Sequence, residues 1–164
     1  GIYFAFHSDR KNSVCSVFFQ CVQCLRRYGY RLIDKEEEMQ CFFYGTTRGE
    51  KSMDGHNGVV SFSIPDLGIV FRAQFKGNPV ECEYASLLAL LEFVEINPHL
   101  FQNRTVEIYG DSFAVVNQVN LQMVCNKDLE PYRNMALVYK KKIPYSLNWI
   151  PPKENPAQCE LGFR

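Results

Sequence analysis

The sequence predicts an α/β fold built around one mixed sheet, and three stretches carry that prediction. Residues 59–64 alternate apolar side chains with serine, Pro65-Asp66-Leu67-Gly68 supplies a turn, and residues 69–75 resume an extended pattern, which reads as a β-hairpin. From Glu81 to Ile96 the apolar spacing switches to a helical period. Val106 opens a short β-branched and aromatic run that turns at Gly110 and passes into a segment that Ser112 can cap, giving strand, tight turn and helix through Val119. Antiparallel strands followed by alternating helices and strands make an α/β chain.

Length and charge bound the problem. The chain has 164 residues, 46% of them hydrophobic, which suits one domain with a proper core and excludes a disordered tail. Eighteen Lys and Arg cancel eighteen Asp and Glu, so a nucleic-acid partner would need a local patch rather than a global basic field. Seven cysteines, odd in number and scattered through apolar runs, read as reduced core thiols and point to an intracellular reducing compartment such as cytoplasm, nucleus or organelle matrix. No stretch approaches the ~20 uncharged apolar residues that a membrane span needs. The chain opens at Gly1 rather than Met, which suggests a processed product or a fragment.

Residues 1–38 read as an N-terminal strand and helix extension. A strand is expected over 2–7 and an amphipathic helix over 14–28, capped by Ser13 and ended by Gly29, with a short strand at 30–33 and a solvated hinge at Glu36-Glu37-Glu38. Cys21 and Cys24 form a C-x-x-C pair, but no second pair completes a zinc site, so they read as core thiols. The domain proper is expected over 39–164. It starts with a strand at 39–44 and a polar loop through Asn57, ahead of the hairpin. Beyond the central segment, residues 128–142 predict a helix with Tyr132, Met135, Ala136 and Tyr139 as its buried stripe and Lys140-Lys141-Lys142 at its dipole-matched end. Residues 145–150 form a last strand carrying the only tryptophan, closed by Pro151-Pro152 and a polar tail.

Two carboxylates stand out. Asp111 follows the strand and its turn, at the carboxyl end where α/β sheets hold ligands. Taken alone, an aspartate there would serve only to start the helix. Glu83, however, heads a helical stripe completed by Leu87, Leu90 and Val94 at i, i+4, i+7 and i+11. A carboxylate aimed at a core is costly unless paired, protonated or metal-bound, and Asp111 is the expected neighbour.

These motifs carry a resemblance. Cys82-Glu83-Tyr84-Ala85-Ser86-Leu87-Leu88, Tyr109-Gly110-Asp111-Ser112 with Val115-Val116-Asn117-Gln118-Val119, Asn126 to Tyr132, Trp149-Ile150-Pro151 and Glu154-Asn155-Pro156-Ala157 together resemble the ribonuclease H family over about three quarters of the chain. The resemblance implies a mixed five-stranded sheet flanked by helices, with three antiparallel strands followed by parallel ones. It also implies an active site of four carboxylates holding two Mg²⁺ or Mn²⁺ ions that cleave the RNA strand of an RNA/DNA hybrid. Glu83 and Asp111 match two of those catalytic, metal-binding positions. Tyr44, in Phe43-Tyr44-Gly45-Thr46, stands where the first aspartate is expected, and Gln158 follows Asn155-Pro156-Ala157 where the last one is expected.

Two of four metal-binding charges are therefore replaced. Pro79 and Val80 occupy the places of the asparagines that touch the hybrid, and none of His7, His56 and His99 matches the catalytic histidine of some members. Asp54, Glu154 and Glu160 are the acidic residues that could stand in. The resemblance further implies nucleic-acid contacts from Thr46, Thr47, Arg48, Ser112 and Asn117. The sequence thus predicts a catalytically inactive, ribonuclease H-like domain that binds RNA or an RNA/DNA hybrid without a cofactor, with a role in a ribonucleoprotein assembly and protein docking through residues 2–33. The competing expectation is a divergent active nuclease that uses Mg²⁺ or Mn²⁺.

Overall fold

A computed structural model describes residues 38–52, 55–102 and 104–159. The expected strand and helix elements before Glu38, the Cys21 and Cys24 pair, and the proposed docking segment 2–33 lie outside the described residues.

Five strands form one mixed sheet in the order β3-β2-β1-β4-β5. β1 (Met39–Ser52), β2 (Gly55–Ile64) and β3 (Ile69–Lys76) are an antiparallel meander. β4 (Val106–Gly110) and β5 (Tyr145–Trp149) then add in parallel on the other side of β1. Parallel neighbours need crossovers. Helix α1 (Pro79–Ile96) carries the chain from β3 to β4, while α2 (Phe113–Val119) and α3 (Glu130–Lys142) carry it from β4 to β5. A single-turn helix, α4 (Pro156–Cys159), closes the described chain.

Strand alternation divides the sheet into two faces. Met39, Cys41 and Phe43 of β1, Val60, Phe62 and Ile64 of β2, Ile69 and Phe71 of β3, Ile108 of β4, and Tyr145 and Leu147 of β5 are buried on the face that α1 covers. Phe62 stacks on Phe71 at 4.8 Å between ring centroids and meets Phe93 of α1 at 5.4 Å, so hairpin and helix share one aromatic contact. α1 begins with a capping box: the Asn78 side chain accepts from Glu81 N at 2.9 Å, Glu81 Oε1 accepts from Asn78 N at 3.1 Å, and Pro79 occupies the first turn. Its stripe is as the spacing predicts, with Leu87, Leu90 and Val94 buried and Glu83 half-buried at its head.

Three expectations change. Residues 45–52 and 55–57 belong to strands and not to a polar loop, because β1 runs past the hairpin core and pairs Thr46, Thr47 and Arg48 with Val59, Gly58 and Asn57, and Ser52 with Gly55. α3 begins at Glu130 rather than Asp128, since Asn126 closes a turn by accepting from Leu129 N through its side chain. Met135 is 53% exposed instead of buried. The contact stripe of α3 runs through Tyr132, Ala136 and Tyr139, where Tyr132 stacks on Tyr84 of α1 and donates to Glu81 Oε2 at 3.1 Å, and Met135 lies off to one side of it. Of the cysteines, Cys41, Cys82 and Cys125 are buried free thiols, as expected, and burial pushes Cys41 up to about 12 and Cys82 up to about 11. No helix among the described residues is long and apolar enough to cross a membrane.

The tightest junction is between β1 and α1. A Cβ on Gly45 would lie 2.3 Å from the carbonyl carbon and oxygen of Cys82 and 2.5 Å from the Glu83 nitrogen. The helix backbone therefore rests directly on the strand, and only glycine permits it. Gly45→Ala is expected to reduce the unfolding free energy by about 3 kcal/mol, the upper end of overpacking losses. The measurement is the urea midpoint, which should fall at an unchanged slope.

Candidate functional site

Each of the four family-matched positions is placed by a different element. Gly45 brings the second turn of α1 onto β1, and this is what positions Glu83. Asp111 follows Gly110, the last residue of β4, whose lack of a side chain accommodates the Phe43 ring: a Cβ there would lie 2.2 Å from it. Phe43 pairs with Gly110 in the parallel ladder, so Tyr44 and Asp111 are the next residues along the two strands. Tyr44 points to the face opposite Gly45, directly across from Ser61 of β2. Ser61 is fully buried and its hydroxyl donates to the Ala157 carbonyl at 3.3 Å, which holds α4 on that face and sets Gln158, the next residue, nearby. All four positions therefore gather where the pairing of β1 with β4 ends.

Asn155, which the sequence reading treated only as the lead-in to the last carboxylate position, is the hub of this arrangement. It is 0% exposed. Its amide donates to the Phe43 carbonyl at 3.0 Å, its carbonyl accepts from Ala157 N at 3.1 Å, and its side chain also hydrogen-bonds the Asp111 carboxylate. One buried carboxamide thus ties β1, the end of β4 and α4 together. The signal was present in Glu154-Asn155-Pro156-Ala157. What the sequence could not supply was the partners.

The two carboxylates share a strained electrostatic setting. Burial pushes Glu83 above the usual carboxylate range, a hydrogen bond from the Ser112 hydroxyl opposes this, and the negative charge of Asp111 adds to the rise. Burial likewise raises Asp111, opposed by hydrogen bonds from its own N–H and from Asn155. Ser112 serves twice, because its oxygen also accepts from Val115 N at 3.2 Å and caps α2 as expected. Trp149 fixes the main chain here: its indole N–H donates to the Asp111 carbonyl at 3.2 Å.

The other expected contacts are more dispersed. Thr46 and Thr47 are half-buried and Arg48 is exposed, all on the part of β1 that extends beyond the parallel pairing. Asn117 directs its amide to the Phe113 carbonyl at 2.7 Å, within its own helix. Glu154 is exposed on a single 3-10 turn, while Asp54 and Glu160 lie outside the described residues. Among the described residues, no group of three or more His, Cys, Asp or Glu side chains is placed to hold a metal ion. Two carboxylates, with a phenol and a carboxamide at the other two family-matched positions, do not fit a paired-metal centre, which needs several anionic oxygens.

Comparison with solved structures identifies the architecture. The chain is similar to the RNase H1 of the halophilic archaeon Halobacterium salinarum NRC-1, with 24% identity and a TM-score of 0.60 over 76% of this chain and 93% of that one. It is also similar to LC11-RNase H1 in complex with an RNA/DNA hybrid, with 17% identity and a TM-score of 0.64 over 76% and 93% of the two chains. A third similar structure is the N-terminal RNase H domain of Rv2228c from Mycobacterium tuberculosis, with 18% identity and a TM-score of 0.54 over 72% and 86%. No protein-family model matches the sequence, and no curated protein matches it. The fold is ribonuclease H-like.

The raised carboxylates make stability depend on pH in a definite direction. Between its ordinary value and its higher folded value, each group binds more protons in the folded state, so stability grows as pH falls through that window and is lost as pH rises through the folded pKa. Asp111→Asn removes a half-buried charge and its repulsion of Glu83 while keeping an oxygen that Asn155 can donate to. The variant is expected to melt higher at neutral pH and to show a flatter pH dependence. Thermal denaturation from neutral pH down to the carboxylate range checks both.

Proposed function

We propose that this domain binds RNA or an RNA/DNA hybrid around Glu83 and Asp111 and does not hydrolyse it. The observation that carries the reading is the pairing of a kept framework with a changed charge set. Gly45, Gly110, Ser112 and Asn155 hold the end of the sheet together, while Tyr44 and Gln158 stand at two of the four positions where the resemblance places carboxylates. Two close divalent ions would be poorly neutralised by Glu83 and Asp111 alone, so the proposal includes no resident cofactor. The likeness to an RNase H1 structure that contains an RNA/DNA hybrid supports the choice of ligand. Thr46, Thr47 and Arg48 on the extended hairpin are the proposed contacts, and phosphate-directed contacts of this kind position a ligand without reading its sequence. In a ribonucleoprotein assembly the domain would hold nucleic acid, with residues 2–33 as the protein-docking part.

A labelled hybrid incubated with the purified protein and Mg²⁺ or Mn²⁺ is expected to be bound, by anisotropy, and left intact. Cleavage that Asp111→Asn abolishes would instead establish the divergent nuclease. Restoring the charge set with Tyr44→Asp and Gln158→Asp together is expected to create Mn²⁺ binding at millimolar concentration, read by calorimetry, where the parent protein shows none.

A further inference from the structure

Two large aromatic side chains stand in solvent beside Asp111, and the fold as described gives neither of them a packing role. Phe113, the first residue of α2, is 61% exposed, and Trp149, the last residue of β5, is 46% exposed. Single exposed apolar residues need no explanation. These two differ because both are referred to the same point of the backbone. The indole N–H is anchored on the Asp111 carbonyl at 3.2 Å, which fixes the ring, and Phe113 follows Asp111 by two residues on a helix that Ser112 caps. Val115 and Val116 take the buried side of that helix, so Phe113 faces away from the core. The two exposed side chains thus flank the Asp111 backbone, Trp149 anchored on its carbonyl and Phe113 two residues along the chain, followed by the exposed Lys153 in the turn after β5.

The chemistry of such a pair selects its ligand. Phe113 and Trp149 are exposed and uncharged, so what they add beside the carboxylates is stacking surface and not a phosphate-binding charge. Unpaired bases suit such a surface, because they offer accessible π-faces that stack on aromatic side chains. A continuous duplex keeps those faces inside and presents them only at its ends.

We propose that Phe113 and Trp149 form a stacking site for unpaired bases beside Asp111, so that the preferred ligand is single-stranded RNA or a single-stranded extension of a hybrid. The inference rests on the nucleic-acid reading above and narrows its ligand class. Because Trp149 is the sole tryptophan, its fluorescence reports on the site directly.

The test titrates a short single-stranded RNA and a blunt-ended RNA/DNA hybrid into the full chain, following Trp149 emission and the anisotropy of end-labelled oligonucleotide. Single-stranded RNA is expected to quench Trp149. Phe113→Ala is expected to weaken its binding roughly tenfold, the loss of one base stack, and to weaken blunt hybrid, which offers base faces only at its ends, by clearly less. Phe113 is exposed at a helix start and alanine is a better helix former, so the variant should fold, which circular dichroism verifies. If single-stranded RNA binds with Trp149 emission unmoved, or with equal affinity to Phe113→Ala, the stacking site is wrong and nucleic-acid binding stands. If neither oligonucleotide binds, both readings fall.

Discussion

The contact of one backbone with another at Gly45 is the constraint on which the rest of the structure depends. A helix normally stands off a sheet by the thickness of its side chains, but here the Cys82 and Glu83 peptide group lies where the side chain of residue 45 would be. This brings a carboxylate from the second turn of a helix to the end of a strand without a long side chain to span the gap. The same absence recurs at Gly110, where the space holds the Phe43 ring. Two glycines in neighbouring strands therefore set how far apart Glu83 and Asp111 lie, and the core beneath them is packed to match.

The electrostatics of that end of the sheet run against stability. Burial raises both carboxylates, and each raises the cost of ionising the other, yet Ser112 and Asn155 are oriented to favour the charged forms. Hydrogen bonds that sustain half-buried anions are a feature of sites whose charge has a use, because well-packed apolar groups would be more stable there. Tyr44 and Gln158 alter the balance from the other side of the sheet by supplying no further carboxylate charge. The framework is that of a charge-rich pocket, and the charges in it number about half of what the resemblance implies.

The order of strands and helices was legible because the chain keeps its periodicities clean: alternation in 59–64 and 69–75, a helical stripe from Glu83 to Val94, and a capped turn at Ser112. Where pattern is weak, the structure departs from it. Residues 45–52 and 55–57 are polar and glycine-rich and look like a loop, but strand pairing overrides local composition. Spacing alone puts Met135 in the buried stripe of α3, while the tyrosines that reach α1 decide the true contacts. At the site, Glu83 and Asp111 were legible as unusual positions. Asn155 was not, since its importance lies in three partners from distant parts of the chain.

The bond from Asn155 to the Phe43 carbonyl joins residues 112 positions apart. A link of that span costs the most chain entropy to close and can form only after the strands between are docked. The pocket is therefore a late-assembling part of the molecule, and in local opening it is expected to be among the first to part, well before the hairpin and its aromatic floor. Ligand contact across that seam would act as a clasp, so binding should be felt as slowed amide exchange along the carboxyl-terminal strand and the turn after it.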